Sequence, residues 1–289
     1  MKALYDLPAP AKLNLFLHIT GRRDDGYHLL QSVFMLVDWC DTLHMELRSD
    51  GKLSREDLTT PLPADDLVLR AARALQAFAA PGQGAHIGVA KRVPAQAGMG
   101  GGSSDAATCL LALNRLWQLD LPLDTLARIG LTLGADVPFF LCGHNAWVEG
   151  IGEKITPIAL PAARFVVVKP PQGLDTAQIF AASDLNRSTS VAIITGFAAA
   201  SKSEVYGFGH NDLQPVAQRL CPAVTDAIDW LGTQGLQARM TGSGSAVFAV
   251  LAADLQENSQ EMTLAPSPVG WQVHQCDNLG AHPLQGWAV

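Results

Sequence analysis

Residues 98–107 read Gly-Met-Gly-Gly-Gly-Ser-Ser-Asp-Ala-Ala, and four of the first five are glycine. A strand that leads through glycines into the start of a helix presents unpaired backbone N–H groups, which bind anions such as phosphate. Such a run is costly to order, at about 0.5–1 kcal/mol per glycine relative to alanine. The pattern therefore predicts a phosphate cradle in which Ser103 and Ser104 cap the helix or reach a phosphate or a metal ion. A flexible loop with an ordinary serine cap is the alternative.

The familiar phosphate-binding motifs do not account for this loop. The chain contains no Gly-Lys-Ser or Gly-Lys-Thr, which excludes a Walker A loop. Residues 98–103 also lack the third glycine of the dinucleotide fingerprint. The sequence thus indicates a phosphate cradle of another lineage.

Three further segments carry residues that could do chemistry at the same site. Lys12 and Asn14 share one face of a strand. Asp136 lies in the turn Gly134-Ala-Asp-Val-Pro138, and Thr241-Gly-Ser-Gly-Ser-Ala246 forms a second glycine turn. Each has a plain structural alternative: a solvated surface lysine, a helix-capping aspartate and an ordinary hairpin turn.

The elements that must position these residues follow from apolar spacing. Alternating residues predict strands, and a stripe at helical spacing, such as Leu67, Ala71, Leu75 and Phe78, predicts helices. Strands are expected over 13–20, 29–41, 86–92, 146–150, 165–168 and 271–273, with a strand–turn–strand unit over 238–251. Helices are expected over 65–79, 103–117, 123–133, 175–182 and 213–232. The interleaved order is typical of an α/β or α+β protein, with two layers in each half.

Composition restricts the class of protein and its partners. A chain of 289 residues with 48% hydrophobic and 16% charged residues is typical of a well-packed soluble protein of one large or two ordinary domains. The net charge of −7 argues against nucleic acid or an anionic membrane as a partner. Five scattered cysteines without Cys-x-x-Cys argue against a disulfide framework or a zinc site. The first residues contain no signal-like apolar run, and no long apolar span follows, so we expect a cytoplasmic protein.

Taken in chain order, these segments resemble the motifs of the GHMP kinase superfamily. The resemblance covers residues 8–250 and is carried by Pro10-Ala-Lys-Leu-Asn-Leu-Phe-Leu, Gly26-Tyr-His28, residues 94–107, Gly134-Ala-Asp-Val-Pro138, Asn211-Asp-Leu213 and Thr241-Gly-Ser-Gly244. Within the superfamily, the chain looks most like the kinases that phosphorylate a cytidine diphosphate-linked methylerythritol, on the non-mevalonate route to isoprenoid precursors.

The resemblance implies a fold of the α+β class in two domains. It implies an N-terminal domain like the second domain of ribosomal protein S5 and a ferredoxin-like C-terminal domain, with ATP and the acceptor meeting between them. We expect the domains to span residues 1–155 and 156–289. A small-molecule acceptor, no nucleic acid, no membrane, and a monomer or homodimer are expected.

The resemblance also implies a role for individual residues. Lys12 and Asp136 would be catalytic. The ATP phosphates would bind to the backbone of Pro94, Ala95, Gln96, Ala97, Gly98, Met99, Gly100, Gly101, Gly102, Ser103 and Ser104. The acceptor would be bound by Asn14, Tyr27, His28, Thr176 and Phe180, and the backbone at Gly242 and Gly244 would approach the nucleotide. Mg²⁺ would accompany ATP, carried mainly by its phosphates, and no protein metal ligand is assigned.

Some positions depart from the pattern of these kinases, and two other functions remain open. Met99 replaces the usual leucine, Ala97 a frequent glycine and Ala177 the usual proline, and Gln214 stands where an acid is common. The first alternative function is a kinase of the same superfamily with another acceptor, which would need no pyrimidine pocket. The second is a nucleotide-binding sensor or scaffold, which would be expected to lose Lys12 or Asp136.

Overall fold

A computed structural model describes residues 2–198, 201–252 and 263–288. These residues form two β-sheets, and helices pack against each sheet. The strands are β1 Ala3–Arg22, β2 His28–Arg48, β3 Leu53–Asp57, β4 Gly84–Ala90, β5 Ala146–Gly150, β6 Lys154–Pro157, β7 Arg164–Lys169, β8 Ala238–Met240, β9 Val247–Ala252 and β10 Gln272–Asp277. The helices are α1 Leu67–Gln76, α2 Gly101–Leu116, α3 Leu123–Leu133, α4 Val137–Cys142, α5 Thr176–Ala181, α6 Ile194–Ala198, α7 Lys202–Gly207, α8 Gln214–Leu220 and α9 Pro222–Thr233. Within these residues, no helix is both long enough and apolar enough to cross a membrane.

The first sheet is built around a long antiparallel hairpin of β1 and β2. Its strand order is β3-β4-β2-β5-β6, and β1 pairs with β2 beside this path. Only β3 and β4 run parallel, and α1 and α2 pack together over the same core. The strand–loop–helix unit predicted around the glycine run is therefore present as β4, the loop and α2.

The second sheet has the order β10-β7-β9-β8, and all its pairs are antiparallel. Its apolar residues pack against α5, α8 and α9 in a separate core. The strand–turn–strand prediction is confirmed by β8 and β9, which are joined through residues 241–246. The mixed architecture confirms the α+β class.

Strand β1 contributes to three hydrophobic cores along its length. Leu7 belongs to the core of the first sheet, Leu13 to a central core between the sheets, and Leu17 and Ile19 to the core of the second sheet. After β10 the chain returns to the first sheet, where Leu284 is buried in the first core. The two halves are thus joined by shared packing as well as by the chain.

Two local predictions are wrong, each for a physical reason. Phe78 lies beyond the end of α1 and is 51% exposed, so it does not extend the buried stripe. The single helix expected over 213–232 is broken at Cys221, because Pro222 has no N–H and opens a new helix. Helix α4, which the sequence analysis did not predict, begins at Val137 and tolerates Pro138 because the first turn of a helix needs no N–H at that position.

Candidate active site

A cleft of about 910 Å³ lies where the glycine loop meets the second sheet. Residues from both halves of the chain line it, among them Pro94 through Ser103, Lys12, Asn14, Asp136, Thr176, Phe180, Gly242 and Gly244. Three of the expected site residues, Tyr27, His28 and Ser104, are not part of this lining. The cleft therefore brings together most of the residues that the sequence analysis selected.

Lys12 is buried beside Asp136, which excludes the solvated-lysine alternative. Its side chain is 5% exposed, and its Nζ lies 3.8 Å from Asp136 Oδ2. Nζ also donates to Asn14 Oδ1 and lies 4.6 Å from the centre of the Phe34 ring. Burial lowers the pKa of Lys12, while the nearby Asp136 carboxylate opposes this shift. Among the described residues the ammonium thus has one anionic partner, and its side chain is shielded from water.

Asp136 occupies the N-cap position of α4, but its side chain makes no capping hydrogen bond. The side chain is 31% exposed, far more than that of Lys12. The capping alternative for Asp136 is therefore not supported. The carboxylate faces the open part of the cleft, with the Lys12 ammonium behind it.

The glycine loop enters α2 earlier than expected, and no serine caps it. The N-cap residue is Gly100, with φ +69°, and α2 starts at Gly101, so the capping role predicted for Ser103 and Ser104 is wrong. A residue at φ > 0 favours glycine, which explains Gly100. Ser104 Oγ is buried and has no hydrogen-bond partner among the described residues.

Two glycines are required because the glycine loop packs directly on the second glycine turn. A Cβ at Gly98, which has φ +73°, would lie 2.3 Å from the carbonyl oxygen of Thr241. A Cβ at Gly242, with φ +53°, would lie 2.6 Å from the carbonyl oxygen of Gly98. By contrast, a Cβ at Gly102 would meet only Leu67 Cδ1, at 3.5 Å. The absent side chains at Gly98 and Gly242 serve loop packing, whereas Gly102 is open to the cleft.

Polar contacts fix the second glycine turn to β1 and to Asn211. The backbone N–H of Asn14 donates to Thr241 Oγ1 at 2.8 Å. Asn211 Nδ2 donates to the carbonyl oxygens of Met240 and Gly242 at 2.9 and 2.8 Å. The sequence analysis gave Asn211 no site role, although it lies in a quoted motif. Its buried amide explains how the turn keeps its shape.

Of the expected acceptor residues, Asn14 lies beside Lys12, Thr176 and Phe180 line the cleft from the second half of the chain, and His28 adjoins Phe180 from β2. Thr176 Oγ1 is 2.7 Å from Ser243 Oγ. The His28 and Phe180 rings are in contact, with centroids 5.0 Å apart and planes 34° from parallel. Tyr27 is 60% exposed, with no ring contact in the described part of the chain. Because His28 and Phe180 already touch, a flat ligand does not fit between these two rings, and Phe180 itself lines the cleft. Arg187, which sequence reasoning missed, donates to His28.

A buried charge cluster lies under the glycine loop and was also missed. Lys91 Nζ forms ion pairs with Asp41 and with Asp105 of the first turns of α2. Asp41 also accepts the backbone N–H groups of Arg92 and Val93. Burial, together with the nearby Asp41, raises the pKa of Asp105 to about 7, against the opposing effect of Lys91. The cluster ties β2, the loop and α2 together.

Comparison with known proteins agrees with this architecture. Residues 66–144 match the GHMP kinases N terminal domain, and residues 192–262 match the GHMP kinases C terminal domain. The chain is 76% identical to the 4-diphosphocytidyl-2-C-methyl-D-erythritol kinase of Variovorax paradoxus (strain S110), covering all of both chains. The chain belongs to the GHMP kinase family. A GHMP kinase is an ATP-dependent small-molecule kinase, and this one has the family's two domains.

Two further relatives set the range of the similarity. The kinase of the same name from Albidiferax ferrireducens (strain ATCC BAA-621 / DSM 15236 / T118) is 64% identical, covering 100% of this chain and 97% of the relative. A crystal structure of 4-(cytidine 5'-diphospho)-2C-methyl-D-erythritol kinase matches this GHMP kinase with a TM-score of 0.74 and 35% identity, over 84% of this chain and 88% of the other. A homoserine kinase from Cytophaga hutchinsonii ATCC 33406 matches with a TM-score of 0.66 at 15% identity, over 98% of this chain and 96% of the other, which shows the fold alone.

Proposed function

We propose that this GHMP kinase transfers the γ-phosphoryl group of ATP to the 2-hydroxyl of 4-diphosphocytidyl-2-C-methyl-D-erythritol, a step toward isoprenoid precursors. One observation carries the proposal: the buried Lys12 ammonium lies 3.8 Å from Asp136, in the cleft that the glycine loop and Phe180 also line. The identity of 76% to a kinase of that name supports the choice of acceptor.

Asp136 accepts the proton of the acceptor hydroxyl in this mechanism. Its carboxylate is free of capping bonds and partly exposed in the cleft, so it is available to a hydroxyl of the acceptor. A carboxylate is a weak base, but phosphoryl transfer depends mainly on positioning and on charge stabilisation. Asp136 therefore acts chiefly by orienting the hydroxyl, and it takes the proton as the new bond forms.

Lys12 supplies fixed positive charge next to the transferring group. Burial has removed its hydration shell, so no water needs to reorganise around the ammonium when charge develops. Its hydrogen bond to Asn14 and its ion pair with Asp136 hold the side chain in one orientation. Loss of such a preorganised donor costs about 10²–10³ in kcat.

The backbone over residues 94–104 holds the ATP phosphates. The α2 N-terminus begins at the loop and adds its positive dipole end, and Gly102 leaves open space there. Within the described residues, no group of three or more His, Cys, Asp or Glu side chains is placed to hold a metal. When bound with ATP, Mg²⁺ would be carried mainly by the phosphate oxygens and would neutralise their charge. Ser103 lines the cleft and is the loop serine placed to assist, whereas Ser104 Oγ is buried without a partner among the described residues.

The acceptor lies at the end formed by the second half of the chain. The cytosine packs on Phe180, and the adjoining His28 hydrogen-bonds its edge, with Tyr27 available from the hairpin turn. Asn14 and Thr176 contact the remainder of the acceptor, and the backbone at Gly242 and Gly244 approaches the nucleotide. A base pocket of this kind distinguishes the proposed acceptor from homoserine or mevalonate, which carry no base to stack.

We further infer a cytoplasmic monomer or homodimer with two domains, at residues 1–155 and 156–289. The five cysteines are unpaired, which supports a reducing compartment. The division falls within β6, in the segment that leads from the first sheet to the second.

The test is a coupled ADP-release assay with Mg·ATP and the cytidylated acceptor, beside methylerythritol 4-phosphate, homoserine and mevalonate. We expect turnover with the cytidylated acceptor alone. Asp136→Ala should retain ATP binding and lose turnover, whereas Asp229→Ala, an exposed site on α9, should match the wild type. Turnover with another acceptor, or more than about a tenth of the wild-type rate in Asp136→Ala, would contradict the proposal. ATP binding without turnover on any acceptor would favour the sensor function.

A further inference from the structure

Arg187 joins the two sides of the acceptor end of the cleft. Its Nε donates at 3.0 Å to Nε2 of His28, the first residue of β2. Its Nη2 donates to the carbonyl oxygens of Phe180 and Ala182 at 3.1 and 2.7 Å, and its Nη1 donates to that of Leu185 at 3.0 Å. One planar guanidinium therefore holds the end of α5, the following loop and the His28 ring in a single arrangement.

The hydrogen bond to His28 determines where the imidazole carries its proton. A guanidinium in a protein is always charged and can only donate, so His28 Nε2 must accept with its lone pair. Neutral imidazole then carries its proton on Nδ1, and the second proton of an imidazolium would face the Arg187 N–H. His28 Nδ1 has no hydrogen-bond partner within the described residues. It is left with a free donor at this end of the cleft.

We propose that Arg187 is a positioning residue of the acceptor subsite: it keeps His28 neutral with the proton on Nδ1 and the ring against Phe180, so that His28 offers one fixed hydrogen-bond donor to an acceptor atom of the pyrimidine. This rests on the proposed function for the identity of the ligand, but the state of His28 is a property of the protein alone. His28 itself touches the base, and Arg187 acts through it.

The charges around the ring act in the same direction. Burial and the positive charges of Arg187 and Arg22 lower the pKa of His28; Arg22 is its cross-strand partner in the β1–β2 hairpin. Phe180, packed on the ring from α5, carries no charge. Removing Arg187 removes one of the two charges and frees Nε2 to take a proton. The pKa of His28 should then rise toward 6.5.

A merely structural role for Arg187 predicts a different outcome. Its bonds to the carbonyl oxygens of Phe180, Ala182 and Leu185 would by themselves stabilise the end of α5. In that case, removal would lower stability and acceptor affinity equally at all pH values, with no change in the His28 proton. The two roles are therefore separated by the tautomer and by the pH profile.

The first experiment observes the ring directly. The full-length protein is labelled with ¹⁵N-histidine, and long-range ¹H–¹⁵N spectra are recorded at pH 7.5, with His28 assigned from a His28→Asn sample. We expect a protonated Nδ1 and an unprotonated Nε2 in the wild type, and a mixture or the reverse in Arg187→Met. A protonated Nε2 in the wild type, or spectra that are identical in both proteins, would overturn the proposal.

The second experiment measures KM for the cytidylated acceptor between pH 5.5 and 8.5. In Arg187→Met, KM should rise about 2- to 10-fold at pH 8, with kcat and the KM for ATP unchanged. The acidic limb of its KM profile should lie at higher pH than in the wild type. Arg187→Lys, which keeps the charge, should move that limb less. Arg219→Gln removes an exposed arginine that pairs with Asp184 and should leave both KM and the profile unchanged.

The two experiments separate failure of this inference from failure of the proposed function. If the wild type does not turn over the cytidylated acceptor, the proposed function is wrong, and the histidine spectra still decide the role of Arg187. If turnover occurs but the acidic limb is the same in Arg187→Met and the wild type, the positioning role is wrong while the proposed function stands.

Discussion

Replacing Gly98 by alanine tests whether the two glycine turns support each other. The residue has φ +73°, which costs an alanine about 1–2 kcal/mol. The new Cβ would lie 2.3 Å from the carbonyl oxygen of Thr241, a backbone atom that cannot rotate away. Relief of such overpacking costs about a further 1–3 kcal/mol. We therefore expect a loss of about 2–5 kcal/mol in the free energy of unfolding.

The matched control is Gly102→Ala in the same glycine run. Its Cβ would lie 3.5 Å from Leu67 Cδ1, an ordinary contact, and alanine is favoured over glycine within a helix by about 1 kcal/mol. Urea unfolding should show Gly98→Ala destabilised and Gly102→Ala unchanged or stabilised. The KM for ATP should rise in both, because Gly98→Ala displaces the loop and Gly102→Ala fills space open to the phosphates.

A free energy of unfolding for Gly98→Ala within about 0.5 kcal/mol of the wild type would refute the packing argument. An effect that small is typical of surface substitutions that disturb neither packing nor backbone conformation. An unchanged KM for ATP in Gly102→Ala, with the fold intact, would refute the assignment of the open space at Gly102 to the nucleotide. The two variants therefore separate glycine required by packing from glycine required by a ligand.

Two further predictions concern buried titratable groups. Lys12→Met keeps the buried volume but removes the charge, so kcat should fall about 10²–10³-fold with little change in the thermal midpoint of unfolding. A kcat within tenfold of the wild type would contradict the role of Lys12. Burial lowers the pKa of His282 from 6.5 to about 4, so the folded protein keeps it neutral. Its stabilising contribution is complete above pH 6.5 and is lost as the pH falls toward 4, by about 3 kcal/mol. His282→Asn keeps an acceptor for the N–H of Leu284, and its thermal midpoint should fall less than that of the wild type between pH 7 and 4.5. An equally large fall in both proteins would contradict the role of His282 in this pH dependence.

Much of the framework follows from local patterns in the sequence. The alternation of Leu13 through Ile19 predicts β1, and the bounds of α3 and β5 agree with the structure to the residue. The break at Cys221 was also signalled, since Pro222 cannot continue a helix, but the apolar stripe runs on across it. The sequence did not signal the start of α2, because the N-cap residue is a glycine with positive φ rather than a serine.

The site divides in the same way between local and long-range information. Lys12, Asp136 and the two glycine turns stand out by residue type and spacing, and they line one cleft. The partners of Arg187 and Lys91 do not stand out, because each is distant in the chain. Packing of the loop after α5 brings Arg187 to His28, and pairing of β2 with β4 brings Lys91 to Asp41. Charged residues of this kind have no local pattern that distinguishes them from a solvated surface.

The path of β1 through all three cores has a consequence for synthesis of the protein. The first core contains both Leu7 and Leu284, which are 277 residues apart in the chain. At translation rates of about 5–20 residues per second, these two are separated by roughly 15–60 s. Leu17 and Ile19 likewise wait for the second sheet. The strand that bears Lys12 thus remains without its full packing until the second sheet and Leu284 have been made, and a nascent chain stalled before β7 would leave Leu17 and Ile19 without that sheet.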